Sequence, residues 1–293
     1  MYYIVYGFLY LLSLLPLRVL YFLSDAVYGL VYYIFRYRKD IVMNNLLIAF
    51  PEKTEKERVR IAKDFYHNLI DTFIETIKMI TASESFIEKR FTANWEVVND
   101  LYASGRNCQL HLGHNFNWEW GNVIGAKKIM HSFMVVYMPI TNKIFDKLFF
   151  DLRSRTGTIL IPATNMKKNF KDFKDKQYIL GLAADQNPGD PSGAWWVNFF
   201  GRLTPFVKGP EKAAVTNNTD VVFAFIHKPE RGYYEAVFSL AAQNPASLQP
   251  GELTKTFVHY LENVIRENPS MWLWSHRRWK WEYDEKYKVQ VIE

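Results

Sequence analysis

The chain has 293 residues, of which 49% are hydrophobic and 17% aromatic, and its formal net charge is +6. This length allows one substantial domain with an appendage, or two small domains. The positive charge suits anionic lipids, a phosphorylated substrate, an acidic carrier protein or nucleic acid, and it does not choose among them. The single cysteine, Cys108, excludes an intramolecular disulfide and a cysteine-based metal cluster.

The first 35 residues carry only two charged side chains, Arg18 and Asp25. Because about 20 mostly apolar residues suffice to span a bilayer, this segment predicts a membrane anchor. The anchor is either one tilted span with Arg18 reaching the interface, or two helices broken at Pro16 that enter one leaflet. A buried helical hairpin of a soluble protein would have the same composition. In the anchor interpretation, we expect the rest of the chain to fold without this segment.

Three basic residues, Arg36, Arg38 and Lys39, follow the apolar run directly. Basic residues are enriched on the cytoplasmic side of membrane segments. They therefore predict that everything downstream of the anchor lies on the cytoplasmic side.

Residues 54–81 have the pattern of a long helix, with Thr54 and Glu57 placed as a capping box and apolar residues at helical spacing behind them. From about residue 92, short apolar runs alternate with helical stretches. We predict strands at 108–112, 132–138, 158–161, 178–183, 221–226 and 234–240, and helices at 116–130, 141–155, 208–217 and 252–267. This alternation predicts an α/β fold with a mainly parallel mixed sheet flanked by helices, ending in an antiparallel pair.

Several common chemical signatures are absent from the sequence, including Gly-x-Ser-x-Gly, Gly-x4-Gly-Lys-Ser/Thr and Gly-x-Gly-x-x-Gly. His111 and His114 stand three residues apart, a spacing that can hold a metal, but a regular third ligand is missing. We therefore expect no bound cofactor and no metal.

The most informative segment is 108–121, where an apolar strand runs into Gly113 and His114 and a helix then begins. Glu119 falls in its second turn. Two residues five apart in one helix point roughly 140° away from each other, so His114 can meet Glu119 only from the loop before the helix. A histidine held by a carboxylate can deprotonate a hydroxyl. The plain alternative is a histidine at a helix start and a solvated glutamate.

This segment resembles the His-x4-Asp/Glu motif of the glycerolipid acyltransferase superfamily, and its glutamate form is similar to the late acyltransferases of lipid A biosynthesis. The phospholipid branch of the superfamily carries an Arg and a Glu-Gly-Thr-Arg motif where this chain has Pro162-Ala163-Thr164 and Asp185-Gln186. The lipid A branch is therefore favoured over a glycerol-3-phosphate or lysophosphatidate acyltransferase. The further stretches that carry the resemblance are Asn44-Asn45-Leu-x4-Pro51-Glu52, Arg153-x-Arg155-x-Gly157, Ala184-Asp185-Gln186, Phe199-Phe200-Gly201 before Thr204-x4-Gly209, and Trp274-x-His276-Arg277-Arg278-Trp279-Lys280.

The resemblance implies an acyltransferase domain at 36–293 behind an anchor at 1–35, in the bacterial inner membrane. It implies fatty acyl transfer from a carrier thioester to a hydroxyl of a membrane glycolipid, with a lipid A precursor favoured. His114 would be the general base and Glu119 would fix its tautomer, with the loop amides of 115–116 as candidate oxyanion donors. Another glycolipid or an aminolipid could be the acceptor, and a non-catalytic lipid-binding protein could share the fold.

Four further residues are candidates for substrate binding. Arg153 could clamp a substrate phosphate with its two-pronged guanidinium. Asp185 and Gln186 follow a predicted strand, at the edge where open α/β sheets place their binding sites. Gly209 would allow the backbone to approach a substrate closely, or would simply begin a helix.

Lysines at 167, 168, 171, 174 and 176 form a basic stretch that could steer an acidic acyl carrier protein or a membrane, or be a solvated face. We predict acyl carrier protein rather than coenzyme A as the donor, because no nucleotide-binding loop is recognisable. The segment 272–281 mixes Trp with Arg and Lys, which is typical of chains seated at a membrane interface. No nucleic-acid motif accompanies it, so nucleic acid is not an expected partner.

Overall fold

The computed structural model describes residues 1–166, 170, 173, 175–285 and 290–292. Its helices are α1 (Tyr2–Ser13), α2 (Leu17–Gly29), α3 (Lys39–Ala49), α4 (Glu55–Lys78), α5 (Glu84–Glu88), α6 (Glu96–Ala103), α7 (Trp118–Lys128), α8 (Lys143–Ser154), α9 (Gly209–Asn217) and α10 (Glu252–Glu267). Its strands are β1 (Phe91–Ala93), β2 (Cys108–Leu112), β3 (Ser132–Tyr137), β4 (Ile159–Pro162), β5 (Tyr178–Ala183), β6 (Trp195–Phe199), β7 (Arg202–Phe206), β8 (Asp220–Glu230), β9 (Tyr233–Ala242) and β10 (Gln290–Ile292).

Seven of the described strands form one sheet in the order β1-β9-β8-β2-β5-β3-β4. Strands β8, β2, β5, β3 and β4 are parallel to one another, and β9 runs antiparallel to β8. The predicted mainly parallel α/β fold is confirmed, and so is the antiparallel pair. That pair does not end the sheet, because the short strand β1, which the sequence did not reveal, lies outside β9.

Strands β6 and β7 form a hairpin that, with β10, makes a small second sheet. The sequence predicted neither hairpin strand. The tight turn between them places Phe200 at φ 53° and Gly201 at φ 75°. Two successive left-handed residues give a turn that matches the right-handed twist of paired strands, so Phe199-Phe200-Gly201 is a hairpin signal in this chain.

Helices cover both faces of the sheet at the central strand β2. Successive side chains of this strand point to opposite faces. Leu110 and Leu112 line a cavity on the face that α7 covers. His111 points the other way and meets the ring of Phe257 on α10, with ring centroids 6.0 Å apart. His111 and His114 therefore do not approach a common ligand position.

The amino-terminal segment forms two helices, α1 and α2, which meet at Pro16, the residue that caps α2. Among the described residues, one helical stretch, Leu17–Ile34, is long and apolar enough to cross a bilayer. Only 22% of this stretch is buried in the protein, so much of its apolar surface is uncovered.

One face of α2 is nevertheless bonded to α4. The Ser24 hydroxyl donates to Asp71 Oδ1 at 2.7 Å, and the Tyr21 hydroxyl donates to Glu75 Oε1 at 2.6 Å. Both carboxylates are buried. Removing α2 would leave two buried carboxyl groups without these hydrogen-bond donors, which costs about 1–3 kcal/mol for each group. The expectation that the domain folds without residues 1–35 therefore overlooked a structural role of this segment.

Candidate active site

The site lies where two neighbouring parallel strands end. Strand β2 ends at Leu112 and is followed by Gly113 and His114, and β5 ends at Ala183, two residues before Asp185. Because β2 and β5 are paired in parallel, both chain segments leave the sheet at the same edge. This brings His114 Nδ1 to 2.5 Å from Asp185 Oδ1.

Asp185 is buried and receives two further hydrogen bonds. Its Oδ2 accepts from the backbone amide of His114 at 2.9 Å and from the Trp272 indole at 2.7 Å. Burial acts to raise the pKa of this carboxyl, but the charge and hydrogen bonds of His114 outweigh it and hold the pKa of Asp185 at about 2. Asp185 is therefore an anion fixed by three donors.

His114 is affected by the same pair in the opposite sense. Burial acts to lower the pKa of its imidazole, but the charge of Asp185 and the hydrogen bond to it outweigh burial and raise that pKa. With Nδ1–H directed at the carboxylate, Nε2 is the ring nitrogen left to face a substrate. This is the arrangement of a histidine base oriented by an acid.

The carboxylate at His114 is thus Asp185 and not Glu119, which corrects the expected pairing. Asn117 caps α7, its Oδ1 accepting from the Trp120 amide at 3.2 Å, so Glu119 sits in the first turn of this helix. There it faces Arg153 of α8 instead of the His114 ring. The five-residue spacing could not show this, because a residue 71 positions away fills the place beside the imidazole.

Arg153 and Glu119 form a two-pronged ion pair. The Arg153 Nε donates to Glu119 Oε2 at 2.9 Å, and its Nη2 donates to Oε1 at 2.5 Å. The Trp118 indole adds a third donor to Glu119 at 3.0 Å. The Arg153 guanidinium, which was expected to bind a substrate phosphate, is therefore already paired with a carboxylate of the protein.

Gln186 reaches the other side of the His114 ring, with its Nε2 at 3.0 Å from His114 Nε2. An amide N–H can donate there only if that ring nitrogen is unprotonated, so this contact fits the neutral imidazole with its proton on Nδ1. Gln186 is exposed, and its side-chain amide is the hydrogen-bond partner of His114 Nε2 in this structure.

Two other expectations are not met by the geometry. The Asn115 amide donates to the Gly113 carbonyl at 2.9 Å and the Phe116 amide to the Met271 carbonyl at 3.3 Å, so these amides are already used and are poor oxyanion donors. Gly209 is the first residue of α9 and has no atom within 4 Å of an added Cβ. It is a helix-start residue and not one of the described residues that line the cavity beside His114.

That cavity extends from His114 between α7 and the sheet and has a volume of about 360 Å³. Four of its polar residues, His114, Glu119, Arg153 and Gln186, lie at or near the carboxyl edge of the strands. Most of the rest of its lining is apolar. Two glycines of α7 line it without adding side chains to the cavity. Lining residues away from the polar end include Trp95, Gly121, Gly125, Ile129, Phe133, Ala236 and Phe238.

Residues of the carboxy-terminal segment complete the site, contrary to their expected seat in a membrane interface. Trp272, Trp274 and Arg278 are all buried. Asn45 of α3 fixes this segment, because its side-chain amide donates to the carbonyls of Trp274 at 2.8 Å and His276 at 2.7 Å. No local sequence pattern indicates this role of Asn45 or the Trp272–Asp185 bond.

Gly113 is a further residue that the sequence did not single out as functional. A Cβ added there would lie 2.7 Å from Leu261 Cδ1 and 3.3 Å from Asp185 Oδ2. A side chain at Gly113 would therefore clash with Leu261 and crowd the carboxylate of Asp185.

His111 has a structural environment. It is fully enclosed, and burial lowers its pKa to about 3, so it stays neutral at physiological pH. The described part of the chain contains no group of three or more His, Cys, Asp or Glu residues that could hold a metal. Of the predicted basic stretch, Lys167, Lys168, Lys171 and Lys174 lie outside the described residues, whereas Lys176 is described and exposed.

The site is therefore a histidine–carboxylate pair at the polar end of an apolar cavity in a mainly parallel sheet. The family model for bacterial lipid A biosynthesis acyltransferases matches residues 1–281, and the chain belongs to that family. Its relatives include the lipid A biosynthesis lauroyltransferase of Escherichia coli K12, which is 25% identical over 94% of this chain and 89% of the relative. The palmitoleoyltransferase of the same strain and a lipid A biosynthesis acyltransferase of Shigella flexneri are each 23% identical over the same shares.

Proposed function

We propose that this protein transfers a fatty acyl chain from an acyl carrier protein thioester to a hydroxyl of a lipid A precursor. The observation that carries the proposal is the His114–Asp185 pair at the polar end of the apolar cavity. A cavity of this size and lining suits a hydrocarbon chain, and the pair stands where the thioester of that chain would lie. Family membership supports the acceptor class, and another glycolipid or an aminolipid remains the alternative acceptor.

In this proposal His114 is the general base. The acceptor hydroxyl displaces the Gln186 amide from Nε2 and gives its proton to that nitrogen, while Asp185 stabilises the imidazolium through Nδ1–H. The alkoxide attacks the thioester carbonyl, and the tetrahedral intermediate collapses with loss of the thiol, to which Nε2 returns the proton. The ester product forms and the histidine is again neutral.

Gln186 and Arg153 are the donors best placed to assist this step. Gln186 is exposed beside the imidazole, so its amide can turn from Nε2 towards a developing oxyanion. Glu119 is assigned the role of holding Arg153 at the cavity wall, where the guanidinium favours a negatively charged transition state or an anionic acceptor group.

The membrane assignment is part of the same proposal. The uncovered apolar surface of α1 and α2 would anchor the enzyme in the bacterial inner membrane, with residues 36–293 as the catalytic domain on the cytoplasmic side. The basic residues Arg36, Arg38 and Lys39 directly after the apolar run support this orientation.

The proposal is tested with the full chain in mixed micelles, an acyl carrier protein thioester and a lipid A precursor, with the product followed by mass spectrometry. His114→Ala should lower the rate by about 10²–10⁴-fold, the usual contribution of a general base. His259→Ala, which removes an exposed histidine of α10, is the matched control and should retain full activity. Turnover by His114→Ala at the unmodified rate would refute the mechanism, and acylation of other glycolipids alone would refute the acceptor.

A non-catalytic lipid-binding protein of the same fold is the competing function. The cavity alone would serve it equally well. The three donors gathered on Asp185 argue against it, because lipid binding needs no buried anion beneath a histidine.

A further inference from the structure

Helix α8 and the loop before it expose an unusual number of large apolar side chains. Met138 is 68% exposed, Phe145 42% and Phe150 43%. Lys143 and Lys147 are exposed on the same short helix. Aromatic and aliphatic side chains interleaved with lysines are typical of helices that lie in a membrane interface.

This surface is continuous with the amino-terminal helical hairpin, which is formed by α1 and α2. The Tyr2 hydroxyl of α1 donates to Asp151 Oδ2 at 3.1 Å, and the Lys147 ammonium lies 5.3 Å from the centre of the Tyr2 ring. Lys147 also pairs with Asp151 at 2.8 Å, so the charge of this acidic residue is neutralised locally. Beyond Tyr2, the apolar side chains of Tyr3, Ile4 and Phe8 are largely uncovered.

The same surface borders the opening of the cavity. Met138 and Ile140 line the cavity and are also exposed, so they stand at its rim. The ring of Phe150 packs edge-on against Tyr137, another lining residue, with centroids 6.3 Å apart. Asp146 fixes the rim loop by accepting from the Ile140 amide at 2.7 Å.

We propose that α8 and residues 138–140 form a second membrane-contact surface, whose occupant is the interface of an anionic phospholipid bilayer. The hairpin and α8 together seat the protein on one leaflet, and the cavity rim then faces the lipid. A hydrocarbon chain enters or leaves the cavity through this rim without crossing water. The hydrocarbon part of this inference rests on the proposed function, whereas the seating of α8 does not.

The single cysteine of the chain makes this testable by site-specific labelling. Cys108 is buried, and burial raises its thiol pKa to about 12, so it should resist labelling in the folded protein. Phe150→Cys tests α8, Phe8→Cys reports the hairpin, and Leu240→Cys is the matched control. Leu240 is 45% exposed on β9, which lies near the opposite edge of the sheet from β4, the strand that follows α8.

Each full-length variant is labelled with a nitrobenzoxadiazole fluorophore and reconstituted into phosphatidylethanolamine–phosphatidylglycerol vesicles that contain doxyl-labelled lipids. Interfacial helices insert about 5–10 Å, so a doxyl group near the headgroup should quench positions 8 and 150 more than one near the chain end. Position 240 should not be quenched. The measurement is repeated in a His114→Ala background, where the quenching should be unchanged even if catalysis is lost.

Three results would overturn the inference. If position 150 behaves like position 240 while position 8 is quenched, α8 does not contact the membrane and the amino-terminal hairpin does. If positions 8 and 150 both behaved like position 240, membrane seating as a whole would fail. A blue-shifted emission at position 150 without vesicles, growing with protein concentration, would show that a second copy of the chain covers α8.

Discussion

The charge on His114 depends on Asp185, and this dependence should give the reaction a pH signature. In the proposed mechanism the neutral imidazole is the base, so kcat/KM should rise as the pH passes through the pKa of His114, above the usual value of about 6.5. Asp185→Asn removes the carboxylate charge and leaves burial, which lowers that pKa. We expect this substitution to move the midpoint to lower pH and to reduce the plateau by about 10²–10⁴-fold.

The pH–rate profile of a matched control, Asp190→Asn, should be unchanged, because Asp190 lies on an exposed loop. A midpoint that stays in place in Asp185→Asn would show that His114 does not set the pH–rate profile.

The His114–Asp185 pair also links the stability of the fold to pH. Since the pKa of His114 is raised on folding, its stabilising contribution is present below the unfolded pKa and is lost as the pH rises through the folded pKa.

Gly113 sets the distance between Asp185 and the loop, and adding one methyl group should disturb it. Gly113→Ala places a Cβ against Leu261 and Asp185. We expect a stability loss of about 1–3 kcal/mol from overpacking. We also expect a fall in kcat on the order of 10²-fold, because small misplacements of catalytic groups are costly.

Thermal unfolding and steady-state rates measure the two effects separately. Gly189→Ala is the control, since no atom lies within 4 Å of a Cβ added there. If Gly113→Ala kept its full rate, the tight approach of Asp185 would have no catalytic role.

At this scale the sequence located His114 but not its partner. His114 follows a recognisable apolar strand, which is a local signal. Asp185 was found as a strand-end residue, yet its bond to His114 depends on β5 lying beside β2, and strand order is not encoded locally. The nearer carboxylate, Glu119, was the only one that spacing could offer. Trp272 could not be predicted because its bond to Asp185 spans 87 positions.

Helix α7 forms one wall of the cavity, and its glycines leave space there because they have no side chains. A Cβ at Gly125 would lie 3.2 Å from the Phe133 ring, at the inner part of the cavity. Gly125→Val should therefore shorten the space for a hydrocarbon chain. We expect kcat/KM for the longest accepted donor to fall by roughly 10–200-fold, the range found when a pocket misfits by about one methylene.

Shorter donors provide the internal control, and the same purified variant should use them at close to the normal rate. A uniform loss over all chain lengths would indicate a folding defect instead. Unchanged selectivity would place the acyl chain elsewhere.

At the scale of elements, the sequence performed best where patterns are local. The capping box of Thr54 and Glu57 is present at the start of α4, and the predicted strands at 108–112 and 178–183 match β2 and β5. The hairpin β6–β7 was missed because its signal is a two-residue turn. The polar face of α2 was overlooked because apolar composition dominates that helix, although Ser24 and Tyr21 mark the face that binds α4.

The net positive charge of the whole molecule should favour an acidic donor protein. We expect kcat/KM with an acyl carrier protein thioester to fall as salt rises from 0.01 to 0.1 M, because the screening length shortens from about 30 Å to about 10 Å. The fall should be smaller when the lysines of the stretch 167–176 are replaced by glutamine, without a change in kcat. Stopped-flow association and steady-state rates with acyl carrier protein and coenzyme A thioesters measure this. Equal use of both donors, or indifference to salt, would contradict it.

The bond between Trp272 and Asp185 also joins the site to a residue that is synthesised much later than Asp185. Trp272 is translated 87 residues after Asp185, which at typical synthesis rates is an interval of roughly 4–17 s. During that interval α1 and α2 have already emerged, whereas Asp185 lacks its indole donor. Asp185 therefore gains the third of its hydrogen-bond donors only after α1, α2 and the described residues that line the cavity have been made.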